Sequence, residues 1–158
     1  MLVGIGYDIH RLEKGLPMRL GGIDIPESEY GPVAHSDGDV LLHAICDALL
    51  GAAGLGDIGK HFPDTDSAFK NIKSIELLNR VNNLLLENNL KVYNVDTMLI
   101  LETPKISKYK DSMCKAIAEV LRLNENRVSV KATTNETLDS IGSKLAIAAH
   151  AIASLTEL

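Results

Sequence analysis

Leu2-Val3-Gly4-Ile5-Gly6-Tyr7-Asp8-Ile9-His10 opens the chain as a β-compatible run ending in an Asp-x-His pair. Residues two apart on a strand share a face, so an extended backbone turns Asp8 and His10 to the same side. A second segment of similar chemistry follows in His35-Ser36-Asp37-Gly38-Asp39, with His43 shortly after it. A third ligand from another element would complete a three-ligand site with an open position. That is the arrangement of a catalytic metal rather than a structural one.

Working outward, residues 18–25 form a second β-compatible run, set off by Gly15 and Pro17, with Gly21-Gly22 marking a bulge or tight bend. Ser36 is a candidate N-cap with Asp39 three residues on, a variant capping box, for a helix to about Ala53 that Gly54 and Gly56 stop. On that helix Leu41, Ile45, Ala48, Leu49 and Ala52 make an apolar stripe, and Asp39, His43 and Asp47 a polar one. The stretch from Gly54 to Ser67 is too loop-like for regular structure and reads as a mobile lid. Beyond it the pattern predicts a helix from about Ser74 to Asn88, a strand from Val92 to Leu101 and a helix from about Ser107 to Leu121. A strand from Val128 to Ala132 and an Ala-rich helix from about Ile141 to Leu155 close the chain.

This order, ββααβαβα, predicts one α/β domain of the α+β type over residues 1–158. Its core is a four-stranded mixed sheet with helices on one face. On the long strand Val95, Leu99 and Leu101 have one parity and Met98 and Ile100 the other, so both sheet faces are apolar and an oligomer is expected.

Composition bounds the function. A formal net charge of −5 argues against a broad nucleic-acid surface, so an anionic substrate would need bound cations. Cys46 and Cys114 stand alone without CxxC spacing and read as small core residues. Neither a signal peptide nor an apolar run of roughly 18 residues is evident, so no membrane association is expected. The expected location is the cytoplasm, with a mature organelle protein equally compatible.

Singly, each histidine is accounted for by a hydrogen bond near a strand or helix end. Jointly, Asp8, His10 and a His43 on a polar helix stripe point to metal. Asp47, one turn past His43, either orients that imidazole through its other ring nitrogen or is a solvated carboxylate. His35-Ser36 precede a helix N-terminus, where free N–H groups and the dipole favour a phosphate, whether or not Ser36 also caps the helix. Lys131-Ala132-Thr133-Thr134-Asn135-Glu136 sets hydroxyls, an amide and a carboxylate after a strand. That suits phosphate oxygens and a hard cation, or else a plain capped loop. Pro104-Lys105 and His61 carry little weight by themselves.

The blocks Gly6-Tyr7-Asp8-Ile9-His10-Arg11, Ala34 to Asp39, Gly56 to Asp66, Asn94-Val95-Asp96, Pro104-Lys105 and Lys131-Ala132-Thr133-Thr134-x-Glu136 closely resemble the 2-C-methyl-D-erythritol 2,4-cyclodiphosphate synthase family over essentially the whole chain. The resemblance implies a homotrimer whose sheets pack around the trimer axis, with active sites at subunit interfaces. It implies that Asp8, His10 and His43 hold Zn2+ and that Glu136 helps to hold Mg2+ or Mn2+ on a diphosphate. His35 and Thr134 match catalytic positions that stabilise the transition state, with Ser36 beside them.

It further implies substrate contacts from Asp8, Ile9 and His10, and from Asp57, Ile58 and Gly59. Phe62, Pro63, Asp64, Thr65 and Asp66 would form the lid, and the segment Leu101 to Ile106, including Pro104 and Lys105, would form the cytidine pocket with Ala132 and Thr133. Many members carry a Phe and an Arg where this chain has Ser140 and Ser143; these approach the trimer axis, and here nearby Lys144 is the candidate substitute charge.

The reaction implied is intramolecular. In 4-diphosphocytidyl-2-C-methyl-D-erythritol 2-phosphate the 2-phosphate attacks the β-phosphorus, CMP leaves and a cyclic diphosphate forms, a lyase step of the non-mevalonate isoprenoid (terpenoid) pathway. The nucleophile is already ionised, so the task is positioning and charge neutralisation. Two like charges about 4 Å apart repel by roughly 4 kcal/mol at an effective dielectric of about 20, which cations relieve. A rival chemistry, water-dependent phosphohydrolysis at the same metal, would release inorganic phosphate instead.

Overall fold

The computed structural model describes residues 1–63, 65–69 and 72–158. Along the chain come β1 (Leu2–Lys14), β2 (Arg19–Leu20), β3 (Ile23–Asp24), β4 (Tyr30–Pro32), α1 (Val40–Ala52) and α2 (Ile58–His61). They are followed by α3 (Ser74–Glu87), β5 (Leu90–Ile100), α4 (Lys110–Leu121), β6 (Val128–Thr133), α5 (Asp139–Gly142) and β7 (Ala146–Glu157). The main sheet has five strands in the order β4-β1-β7-β5-β6, not four. β7 pairs antiparallel with both β1 and β5, and β5 pairs parallel with β6.

The expected C-terminal helix is the largest correction. Apart from the single turn of α5, the segment is β7, the middle strand of the sheet. Its alanines suggested a helix because Ala has the best helix propensity, but burial follows a period of two. Ile147, Ala149, Ala151, Ala153 and Leu155 are buried under the helices, and His150 and Ile152 point the other way. Small residues suit that position because α1 lies over them.

Two smaller corrections concern the first half. The run 18–25 is not a strand of the main sheet but a separate hairpin, Arg19 opposite Asp24 and Leu20 opposite Ile23, with Gly21 and Gly22 at its bend. β4 takes the edge beside β1 instead, pairing Leu12 with Pro32. The lid segment also contains the helical turn α2 and a 3-10 turn at Ser67–Phe69.

All three long helices lie on one face. α1 is apolar almost all round; among its residues only His43, Asp47 and Gly51 escape full burial. α3 adds Leu77, Leu78, Val81 and Leu85, and α4 adds Met113, Ile117 and Leu121 to the same core. Among the described residues no long helix covers the opposite face; only the single turn of α5 packs there, with Ile141 against Ala146, Ala148 and Ile100 at one end. Val3, Ile5, Tyr7 and Ile9 of β1 are 64%, 71%, 49% and 44% exposed there, and Ile152 of β7 is 49% exposed. Such a contiguous apolar strip is a surface that expects a partner. No helix among the described residues is long and apolar enough to cross a membrane. Cys46 is buried and Cys114 half-buried, both free thiols.

Candidate active site

Gly4 and Gly6 decide how closely α1 approaches β1. A Cβ on Gly6 would lie 1.8 Å from the Ala44 carbonyl oxygen, and one on Gly4 would lie 2.1 Å from that of Ala48. With no side chain at either place the helix rests directly on the strand. The next residues on that strand face are Asp8 and His10, and they therefore meet His43 of α1.

Asp8 Oδ2 is 3.0 Å from both His10 Nε2 and His43 Nδ1, and the two nitrogens are 3.2 Å apart. Ligand atoms about 2.0–2.1 Å from a tetrahedral zinc lie about 3.3 Å from one another, so this triangle fits such an ion within a few tenths of an ångström. Asp8, His10 and His43 are the ligating side chains that cluster in this way among the described residues. Burial opposes ionisation of Asp8, but its hydrogen bonds to His10 and His43 outweigh that and hold its carboxyl at about 2. Burial likewise disfavours a charged His43, yet the Asp8 carboxylate prevails and raises the imidazole above its ordinary value.

The far side of His43 is organised by Ser36, Asp37 and Ser74, of which the sequence pattern does not single out Ser74. Nδ1 is turned to Asp8 and His10, and Nε2 lies 2.9 Å from Ser74 Oγ and 3.2 Å from Ser36 Oγ, so a metal held on Nδ1 would leave the ring proton on Nε2, facing these hydroxyls. The Ser74 hydroxyl donates a short hydrogen bond to Asp37 Oδ1, and its backbone N–H donates to Asp37 Oδ2 at 3.0 Å. This chain fixes tautomer and ring orientation. Ser74→Ala should weaken metal binding at this triangle by about 10–100-fold, measured by competition with a chromogenic chelator. An unchanged affinity would exclude the relay. Ser74 had only the position of a helix start to mark it.

Asp47 does not take that orienting role. Its carboxylate accepts the Ile58 N–H at 2.8 Å and so anchors α2, and burial raises its pKa. The N-cap is also reassigned, from Ser36 to Asp39. Asp39 is fully buried and accepts from Leu42 N, Gly21 N and Gly22 N, which ties the helix start to the β2–β3 bend. Burial pushes its carboxyl up to about 6, against those three donors. The polar stripe thus keeps only His43 and Asp47, and Ser36 instead accepts the Gly38 N–H at 3.2 Å.

A cavity of about 360 Å³ opens beside the triangle. Asp8, His10, His43, His35, Ser36, Ile58, Gly59, Phe62 and Pro63 all line it, joined by Phe69, Ile72 and Leu77. Phe62 packs edge-on against Phe69 at 5.3 Å. Asp57 caps α2 through Lys60 N, next to the lining residues, and Thr65 and Asp66 are exposed further along. Asp64 lies outside the described residues. Ile9 lies between Asp8 and His10, with its side chain turned by strand alternation to the other sheet face. His61 is the last residue of α2, and its Nε2 lies 3.0 Å from Leu55 O.

A second cavity, about 210 Å³, sits where β5 and β6 end. Leu101, Glu102, Pro104, Lys105, Ile106, Ala132, Thr133 and Thr134 line it, together with Ser107 and Lys110. Thr134 Oγ1 donates to Glu136 Oε1 at 3.2 Å. No lining residue is common to the two cavities, and β7 lies between the strands that carry them. Ser140 is exposed, Ser143 closes α5 by donating to Asp139 O, and Lys144 borders a shallow cleft with Glu27 and Tyr30.

The sequence model of the YgbB family matches residues 1–156. The 2-C-methyl-D-erythritol 2,4-cyclodiphosphate synthase of Chlorobaculum tepidum is 54% identical over 152 residues, covering 96% of each chain. The one from Clostridium novyi is 50% identical over 157 residues, covering 99% of each. A solved CDP-bound form of a 2C-methyl-D-erythritol-2,4-cyclodiphosphate synthase matches at a TM-score of 0.90 with 36% identity, covering 98% of this chain and 99% of that one.

Proposed function

The chain belongs to the YgbB family, and from that premise we propose how its residues divide the work. It converts 4-diphosphocytidyl-2-C-methyl-D-erythritol 2-phosphate to 2-C-methyl-D-erythritol 2,4-cyclodiphosphate with release of CMP, in isoprenoid biosynthesis. The observation that carries the reading is the donor triangle of Asp8, His10 and His43 opening into a cavity that also contains His35 and Ser36.

Zinc is the metal assigned to the triangle, since two imidazoles, one carboxylate and an open position are its catalytic pattern. Bound there, it would polarise a phosphoryl oxygen and offset the charge of the converging phosphates. His35 and Ser36 stand beside the triangle and hold phosphate oxygens in line for displacement. Phe62 and Pro63 cover the carbon chain of the substrate and keep water from competing with the 2-phosphate. Asp57 and Gly59 present acceptors to its hydroxyls.

The second cavity takes the cytidine, as the CDP-bound relative suggests by analogy. Thr134 contacts the diphosphate, and Glu136 holds Mg2+ or Mn2+ there. Because the two cavities share no residue and β7 separates their strands, a whole site needs the metal half of one chain and the nucleotide half of another. We therefore infer a homotrimer, with residues 1–158 as one domain and the uncovered apolar strip of β1 and β7 turned inward. The substrate is water-soluble, and the cytoplasm or an organelle matrix is the setting assigned.

The deciding experiment follows the diphosphocytidyl substrate with magnesium by phosphorus NMR. CMP and a cyclic diphosphate should appear in equal amounts. Inorganic phosphate in place of the cyclic product would overturn the reading in favour of water as nucleophile.

A further inference from the structure

We propose that Glu102 is a positioning residue for the cation-binding end of the site: its carboxylate fixes the backbone on both sides of Glu136. The proposal rests on the roles given above to Glu136 and Thr134. It begins where the parallel ladder of β5 and β6 runs out. Ile100 is opposite Thr133, and the Leu101 N–H still reaches Thr133 O at 3.0 Å. The next donor on the β6 side, Asn135 N–H, goes to Glu102 Oε1 at 2.8 Å, so a side chain takes over from the strand. The same oxygen accepts a longer bond, 3.4 Å, from Thr137 N–H. One carboxylate oxygen thus receives the backbone donors immediately before and after Glu136.

That loop needs such a clamp. Glu136, Thr137 and Asp139 have φ of 52°, 63° and 57°, left-handed values that side chains other than glycine rarely adopt. Backbone of this kind persists only where its surroundings over-determine it, and it gathers at working sites. Asn135 is held at two further atoms: its side-chain amide donates to Asp139 Oδ2 at 2.8 Å, and its carbonyl accepts Leu138 N–H at 2.9 Å. Glu136 in turn takes the Thr134 hydroxyl on Oε1, and its own N–H reaches Thr134 Oγ1 at 3.3 Å. Thr134 and Glu136 therefore form one unit, and Glu102 is its attachment to β5. Because Glu102 also lines the nucleotide cavity, a direct contact with the base is the competing role that the test must separate.

The test uses the full-length oligomer carrying E102A, E102Q or E136A. Mn2+ binding in the presence of CDP is read by electron paramagnetic resonance, and amide hydrogen exchange at residues 135–137 is followed alongside. E102A should weaken Mn2+ about tenfold and speed exchange at Asn135 and Thr137, with zinc content and CDP affinity at saturating Mn2+ within twofold of the parent. E102Q keeps an oxygen acceptor and should recover most of both effects. If E136A weakens Mn2+ but E102A does not, or if E102A lowers CDP affinity with Mn2+ binding unchanged, the positioning role is wrong and the reading of Glu136 stands. If E136A leaves Mn2+ binding intact, the assignment of Glu136 fails and the proposal goes with it. Should E102A not fold, E102D decides, since a carboxylate withdrawn by one methylene must show the same loss.

Discussion

His43→Ala is expected to empty the metal site and to lower kcat by about a thousandfold or more, equivalent to about 4 kcal/mol of transition-state stabilisation. The imidazole supplies one of three donors, and its loss leaves Asp8 and His10, a pair too sparse to retain zinc at ordinary concentrations. It also removes the group that Ser74 and Asp37 orient, so the damage is not repaired by a neighbour. Metal analysis of the purified variant and single-turnover rates followed by phosphorus NMR check both halves. Full rate with a full zinc complement would sink the assignment. Acid should mimic the substitution. Zinc needs neutral imidazoles, and Asp8 raises the pKa of His43, so proton competition sets in at a higher pH than an isolated histidine would give. Zinc affinity should therefore decline as pH falls through that range, with Asp8 itself remaining ionised until about 2.

The pairing of Asp8 and His10 is legible in the sequence because strand parity is a local property. Asp8 and His10 share a face whatever the rest of the chain does, and α1 announces itself by a buried surface interrupted only at His43, Asp47 and Gly51. What periodicity could not reveal was which partner each polar group finds. Asp47 and Ser74 differ in that respect only through the path of the lid and the start of α3, both long-range facts. Asp39 reads as a member of the polar stripe and of a capping box with Ser36, but the β2–β3 bend folds over it and supplies donors. The helix expected over β7 fails for a related reason. Alanine reports helix propensity when considered alone, whereas in the molecule Ala149, Ala151 and Ala153 are small because α1 passes over them. Propensity is a weak prior against such packing. Gly4 and Gly6 are the signal from which it can be found, since small residues recurring with period two on one strand and again on another describe a shallow bed for a helix.

That bed makes Gly6 the second position of large effect. Gly6→Ala should destabilise the fold by about 3 kcal/mol or more, the upper part of the range for overpacking. The added Cβ would meet the Ala44 carbonyl oxygen at 1.8 Å and Ala48 N at 2.8 Å, both backbone atoms that no rotamer change can move aside. α1 must instead lift from β1 by over an ångström, and it carries His43 with it. The donor triangle, closed now at 3.0–3.2 Å, would open beyond what a single ion spans. Zinc affinity should fall with stability even though no ligand is altered. A useful contrast is Gly51→Ala in the same helix, where the nearest backbone atom, Ile5 O, lies at 4.0 Å. There the methyl group meets ordinary contact, and the gain in helix propensity should add about 0.5–1 kcal/mol. Thermal melting and zinc titration of the two variants separate the effects: a domain of this size loses about 2–4 °C per kcal/mol, so the Gly6 variant should melt roughly 10 °C lower. Equal melting temperatures for Gly6→Ala and the parent would mean that the helix has room to move, and the close seat of α1 on β1 could no longer be what brings His43 to Asp8 and His10.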